Sequence, residues 1–96
     1  MEARNYTYMV ECSDGCLYTG WTNCIEKRLK EHNSGRGAKF TRARLPVKLR
    51  YLEVSQTKSD AMKREAAIKK LNRSQKEKLI LQCHLEKILE ENEISI

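Results

Sequence analysis

The chain has no long apolar run; its uninterrupted hydrophobic stretches are a few residues each, where a membrane-spanning helix needs about 20. It has no internal repeat and no low-complexity segment. The N-terminal Met1-Glu2-Ala3-Arg4-Asn5 holds no apolar core segment of the kind a secretory leader carries. A cytoplasmic, reduced location and no membrane partner are therefore expected. The four cysteines are unpatterned. Cys12, Cys16, Cys24 and Cys83 do not form the recurring close pairs of a zinc knuckle, even with His32 nearby. They read as free thiols.

Acid is nearly missing from the middle of the chain. Lys27 to Arg50 holds nine basic residues and one acidic residue, Glu31, a balance of +8. Tyr51 to Ile80 adds +4, and the two ends each carry −3, within a total of +6. A basic block between mildly acidic ends suits a polyanionic partner, because binding releases condensed counterions. A solvated lysine-rich surface would look the same by charge alone. The length of 96 residues suits one domain.

Asn5 to Cys12 and Cys16 to Thr22 are rich in β-formers and alternate in polarity, with Ser13-Asp14-Gly15 between them as a hairpin turn. Loop length decides which side chains share a face. A two-residue loop separates Tyr8 from Tyr18. A three-residue loop with left-handed Gly15 pairs Cys12 with Cys16 and places Tyr6, Tyr8, Val10, Tyr18 and Gly20 on one face. A helix is expected from Cys24 to about Asn33, with Asn23 and Glu26 as a capping box and Gly35 as its stop. Its stripe is Ile25, Arg28, Leu29 and His32, half polar. Ser34 to Pro46 reads as a loop and Val47 to Ser55 as a third strand. A helix from about Asp60 to Leu71, capped by Thr57 or Ser59, carries Ala61, Met62, Ala66, Ala67, Ile68 and Leu71 as apolar positions. Glu65 sits at the edge of that face. Ser74 and Glu77 form a second expected capping box for a helix running to about Glu91, with the stripe Leu81, Leu85, Ile88 and Leu89. The order β-β-α-β-α-α makes an α+β domain.

Thr7-Tyr8-Met9 is followed, ten residues after Tyr8, by Tyr18-Thr19-Gly20. Arg28 and His32 stand as Arg-x-x-x-His on the first helix, and Lys63-Arg64-Glu65-Ala66-Ala67-Ile68-Lys69 follows downstream. In order and spacing these segments resemble the GIY-YIG nucleases, over about Tyr6 to Ile80. The small stand-alone bacterial members are most similar, sharing Gly35-x-Gly37-Ala38-Lys39 and Gln75-Lys76-Glu77. The resemblance implies a three-stranded antiparallel sheet flanked by helices, and hydrolysis of a DNA phosphodiester with one divalent cation, magnesium or manganese. It carries the catalytic roles to Tyr8, Tyr18, Arg28 and His32, and the metal to Glu65. The asparagine that larger members place after the glutamate has no match, since Glu77 stands there; Asn72 is the nearest candidate. Residues 1–80 form the nuclease-like domain, and 81–96 a helical extension packed on it that offers a surface for a second copy or a protein partner.

These residue types suit the chemistry. Glu65 offers a hard oxygen to magnesium, which keeps most of its waters. Arg28 offers a planar, permanently charged fork to phosphate oxygens. Tyr8 is the candidate general base, with Tyr18 and His32 in support. A free tyrosine titrates near 10, so lowering it by about three units takes roughly 4 kcal/mol. A metal, Arg28 or Lys39 could supply that, or His32 could relay the proton. Arg36, Lys39, Arg42 and Arg44, on a glycine-containing loop, are candidate DNA backbone contacts. Each residue also has a plainer use: strand aromatics for the tyrosines, a snorkelling Arg28, a His32 at a helix end. Two functions stay open: a DNA endonuclease, and a non-catalytic nucleic-acid-binding module. Convergence of all five site residues on one cleft separates them.

Overall fold

The computed structural model describes residues 4–96; Met1, Glu2 and Ala3, part of the N-terminus read above as leaderless, lie outside the described residues. The elements are β1 (Asn5–Glu11), β2 (Leu17–Thr22), α1 (Ile25–Asn33), α2 (Lys39–Arg42), β3 (Lys48–Ser55), α3 (Lys58–Lys69), α4 (Arg73–Gln82) and α5 (Leu85–Glu91). The strands form one antiparallel sheet in the order β2-β1-β3. This is the expected α+β fold with two additions, a one-turn α2 inside the basic loop and a division of the last helix. No helix among the described residues is long and apolar enough to cross a membrane.

The hairpin takes the three-residue loop. Cys12 N–H donates to the Cys16 carbonyl at 2.8 Å, and Gly15 sits at φ +85°, a left-handed position that glycine adopts without strain. Asp14 holds the turn by accepting from Cys16 N–H at 3.0 Å. Val10 therefore faces Tyr18, and Tyr8 faces Gly20. In β3 a bulge opposite Met9 and Val10 skips Arg50. It lets Leu49 and Leu52, three residues apart, turn to the same side, which simple alternation does not permit.

The sheet carries an apolar cluster on each face. Tyr6, Tyr8, Val10, Leu49 and Leu52 pack with Ile25 and Val47 on one; Met9 and Tyr51 pack with Ile68 on the other. α1 lies on the Tyr8 side through Ile25, Leu29 and His32. α3 lies on the opposite side, where the Thr7 hydroxyl donates to the Ala61 carbonyl at 2.9 Å.

Several local expectations are corrected. The cap of α1 is Cys24, one residue later than the expected Asn23; the Thr22 hydroxyl takes over that turn, bonding both Cys24 N and Cys24 O. Gly35 does end α1, at φ +81°, with bonds from Gly35 N–H to His32 and from Arg36 N–H to Glu31 that close its carbonyls. α3 is capped by Thr57, and of its six apolar positions only Ala61 and Ile68 are buried; Met62, Ala66 and Ala67 are exposed. The capping box of α4 is Asn72 with Gln75, not Ser74 with Glu77. The last helix breaks at Cys83, whose backbone is extended. The break has a packing reason. Leu79 and Ile80 cover the Met9 face, while Leu85, Ile88 and Leu89 cover the Tyr8 face, and one straight helix cannot serve both sides of a sheet. Leu81 is left 84% exposed, so it does not belong to the stripe in which it was placed. Residue 80, where the nuclease-like part was expected to end, lies inside α4.

Candidate active site

Tyr8 and Tyr18 lie on one face, as the three-residue loop requires, with ring centroids 6.5 Å apart. His32 meets both rings edge-on, at 5.8 Å from Tyr8 and 5.4 Å from Tyr18. The two polar members of the α1 stripe thus point at the hairpin tyrosines. The Tyr8 hydroxyl lies 2.8 Å from His32 Nε2, and Arg28 Nε donates to the same hydroxyl at 3.3 Å. A guanidinium has no acceptor, so of these two neighbours only the imidazole can take the phenol proton. His32 Nδ1 lies 2.9 Å from the Thr41 hydroxyl, which in turn donates to the Ala38 carbonyl at 3.0 Å. Tyr8, His32 and Thr41 have no exposed surface. Buried polar groups are tolerated because they are bonded, and this chain bonds them to one another.

Burial sets the charge state. It pushes the Tyr8 phenol up to about 12, against the pull of the Arg28 hydrogen bond and charge. It pushes His32 down to about 4, helped by the neighbouring Arg28 charge. At neutral pH Tyr8 keeps its proton and His32 is uncharged. Arg28 keeps 27% of its side chain exposed and lies 3.8 Å from Glu31, so the guanidinium both covers the phenol and faces outward.

Two glycines make the cluster possible. A Cβ at Gly20 would fall 2.6 Å from the Tyr8 oxygen. Gly20 therefore makes room for the Tyr8 ring itself, not for a substrate or water beside it. A Cβ at Gly37 would fall 2.8 Å from the His32 ring carbon Cγ, so the basic loop closes directly onto the imidazole.

Glu65 arrives from the other side of the sheet. α3 packs against both β1 and β2, and β2 is an outer strand, so α3 can reach round it. The Glu65 carboxylate keeps 21% exposure and pairs with Lys69 on the next turn at 3.4 Å. Lys69 Nζ lies 6.0 Å from the Tyr18 ring centre, and the Glu65 charge is felt at the Tyr8 phenol, which it raises. Tyr8, Tyr18 and His32 are therefore grouped, Arg28 is bonded to the Tyr8 hydroxyl, and Glu65 is linked by contact to the group through Lys69 alone. Asn72 is occupied elsewhere: its side chain accepts from Gln75 N–H at 2.9 Å as the cap of α4.

The basic loop divides. Arg36, Lys39 and Arg42 are exposed. Arg44 is tied down: its Nε donates to Asp14 at 3.0 Å, its Nη1 to the Phe40 carbonyl at 2.7 Å, and its guanidinium lies 4.1 Å over the Phe40 ring. Phe40 stacks on Tyr18 at 6.1 Å. Thr41, Phe40 and Lys69 all touch the cluster, and sequence reasoning passed over them. None sits in a periodic pattern that would have marked it.

A GIY-YIG catalytic domain model matches residues 4–78. A UPF0213 protein of Syntrophus aciditrophicus is 58% identical over 83% of this chain and 93% of its own length. The UPF0213 protein CPE1444 of Clostridium perfringens is 51% identical over 96% and 99%. Among solved structures, the solution structure of protein EF2693 from E. faecalis is 47% identical with a TM-score of 0.58, covering 88% of this chain and 93% of that one. The match spans the tyrosine hairpin, α1, the basic loop and α3, the segments that build the cluster, and the chain belongs to the GIY-YIG family, a nuclease family.

Proposed function

We propose that the protein is a metal-dependent endonuclease that hydrolyses DNA phosphodiester bonds. The observation that carries this reading is the Tyr8 hydroxyl, held between Arg28 and His32 and within the field of Glu65. A carboxylate among basic side chains repels phosphate unless a cation intervenes.

The donor set fits magnesium or manganese. Among the described residues no three His, Cys, Asp or Glu side chains gather as a metal cage. Magnesium keeps several waters and takes one or two carboxylates beside substrate phosphates. Glu65 is the ligand, released from a lysine partner that is half exposed. When bound, the cation polarises a phosphate oxygen and steadies the leaving oxygen.

The chain's own residues do the rest. Arg36, Lys39 and Arg42 hold the DNA backbone. Arg28 turns its free donors to the scissile phosphate, and that movement uncovers the phenol beneath it. Tyr8 takes the proton of the attacking water as its own proton passes to His32 Nε2 across 2.8 Å. Taken singly, a phenol near 12 and an imidazole near 4 oppose that transfer by about 1.4 kcal/mol per unit. The ion pair it forms offsets part of that cost; positive charge nearby steadies the phenolate and opposes the imidazolium, so ionisation belongs to the substrate-bound state. Tyr18 lines the same face and positions the phosphate.

One observation favours a second reading, a non-catalytic nucleic-acid-binding module: Tyr8 has no exposed surface at rest. The deciding experiment is a cleavage assay on duplex, nicked, flapped and branched DNA with magnesium, manganese or chelator. Metal-dependent cleavage of at least one substrate, absent in Glu65→Gln, is expected. DNA binding without cleavage of any of them would leave the binding module as the function.

A further inference from the structure

Helix α2 is a single turn with two different sides. Lys39, Phe40 and Arg42 are exposed, while Thr41 between them is fully buried against His32. Isolated turns of this length have little stability of their own, so the inward bond is a principal anchor of the segment. We propose that Thr41 is a positioning residue that holds His32 in one tautomer, protonated on Nδ1 and bare on Nε2, so that Nε2 can accept the Tyr8 proton. Its catalytic consequence rests on the nuclease reading above; the tautomer itself does not.

The hydrogen-bond directions admit two arrangements. In the first, the Thr41 hydroxyl donates to the Ala38 carbonyl and accepts from His32 Nδ1–H; Nε2 then accepts from Tyr8, and Tyr8 accepts from Arg28. Every proton has an acceptor. In the second, Thr41 donates to Nδ1 and Nε2–H donates to Tyr8. The phenol oxygen then faces two donors, Arg28 and His32, and its own proton has no partner in a fully buried site. An unmade bond on a buried donor costs its whole desolvation. The first arrangement is therefore assigned. Gly37 completes the device. A side chain there would overlap the imidazole, so its lack of one lets the loop seal the Nδ1 side and leaves Thr41, not water, as the partner of that nitrogen.

The position of Thr41 gives the bond a further meaning. Lys39 and Arg42, candidate phosphate contacts, flank it on the same turn. The segment that holds the DNA backbone is thus bonded to the group that receives the proton.

The test is nitrogen-15 NMR of the imidazole rings in the full chain near neutral pH, where only His32 and His84 contribute. Wild-type His32 should carry its proton on Nδ1. Thr41→Val keeps the shape and removes the oxygen; the ring should move to the Nε2-protonated form or a mixture. Thr41→Ser should restore the wild-type pattern. On a cleaved DNA, Thr41→Val should lower kcat by about ten- to one-hundred-fold, the scale of other supporting hydrogen-bond partners, more than it changes KM, with Thr41→Ser close to wild type. A wild-type ring protonated on Nε2 overturns the proposal, and that measurement needs no variant to fold. So does an unchanged tautomer in Thr41→Val, or a shifted tautomer with full kcat. If wild-type protein cleaves no DNA, the nuclease reading fails, and the spectra still decide the tautomer lock.

Discussion

Helices α1 and α3 both bring charged or polar side chains to the candidate site, and they hold them in opposite ways. On α1, His32 is fully buried with both ring nitrogens bonded, and Arg28 is bonded to the phenol it covers. On α3, Glu65 has one ion-pair partner, a half-exposed lysine on its own helix. Pairs of that kind contribute about 0.3–0.5 kcal/mol, so the carboxylate is easily released to another cation. The contrast teaches a division of labour. The groups proposed to handle the proton are preorganised by burial, where a misplaced bond is expensive. Glu65, the proposed metal ligand, is held loosely, at the edge of the site.

The sharpest way to break the comparison is Glu65→Gln. Cleavage should be abolished while the stability changes by no more than about 0.5 kcal/mol, the ordinary range for a surface position. DNA affinity should stay the same or tighten slightly, because a charge of the same sign as phosphate is removed. Paired cleavage and binding assays with a chemical melt read all three. A large loss of stability would show that the Lys69 pair is structural and that α3 is as locked as α1.

Tyr8→Phe tests the other side. Cleavage should fall by about two to four orders of magnitude, the usual scale for a lost general base. Unlike Glu65→Gln, it should also destabilise, by about 1–3 kcal/mol, because His32 and Arg28 lose a buried partner. Tyr18→Phe is the comparison. A larger catalytic loss there than at Tyr8 would move the base role to Tyr18, the more accessible phenol.

The parts of this arrangement legible in the sequence are those set by period and by turn chemistry. Asp14-Gly15 offered two loop lengths, and the facing tyrosines made sense with only one of them. Arg28 and His32 on an otherwise apolar stripe marked a polar cluster before its partners were known. What could not be read were the contacts made across the sheet and through the loop. Thr41 is one threonine in a glycine-containing loop until Gly37 closes that loop on His32. Gly20 is adjacent to the right tyrosine, yet its use is to admit the Tyr8 ring. Arg44 looks like its basic neighbours in sequence, and only Asp14, thirty residues away, sets it apart. The break at Cys83 follows from there being two sheet faces to cover, a demand that a helical stripe does not express.

Acid titration sharpens the comparison next. In the unfolded chain His32 takes a proton below about 6.5; in the folded protein it waits until about 4. Between these values the unfolded state binds more protons, so stability should fall as pH is lowered from about 6.5 to about 4. Below that window this contribution is flat. The full loss is on the order of 3 kcal/mol. Asp14, held below its ordinary 3.8 by the Cys16 backbone N–H and by Arg44, titrates under that window and does not mimic it. Urea melts across the range should show the slope in wild type and in Glu65→Gln alike, and lose it in His32→Gln. A slope that survives His32→Gln would mean that the buried imidazole is not its source.

The smallest effect applies the same distinction, locked against free, within the basic loop. Lys39, Arg42 and Arg36 are exposed, whereas Arg44 is bound to Asp14 and the Phe40 carbonyl. Each phosphate contact on duplex DNA steepens the fall of log affinity with log salt by about 0.9. Neutralising Lys39, Arg42 and Arg36 should therefore make that dependence shallower by about 0.9 for each one that touches the backbone. Arg44→Gln should leave it unchanged. Its effect should appear in stability, by up to about 1 kcal/mol for a partly exposed ion pair. That pair also joins the hairpin turn to the loop, where Ser13 N–H donates to the Arg44 carbonyl at 2.9 Å. Salt titrations of DNA binding on the four single variants separate the outcomes. A dependence that becomes shallower for Arg44→Gln and for none of the other three would make the tied residue the phosphate contact. Bonding within the resting protein would then no longer tell a structural side chain from one that holds DNA.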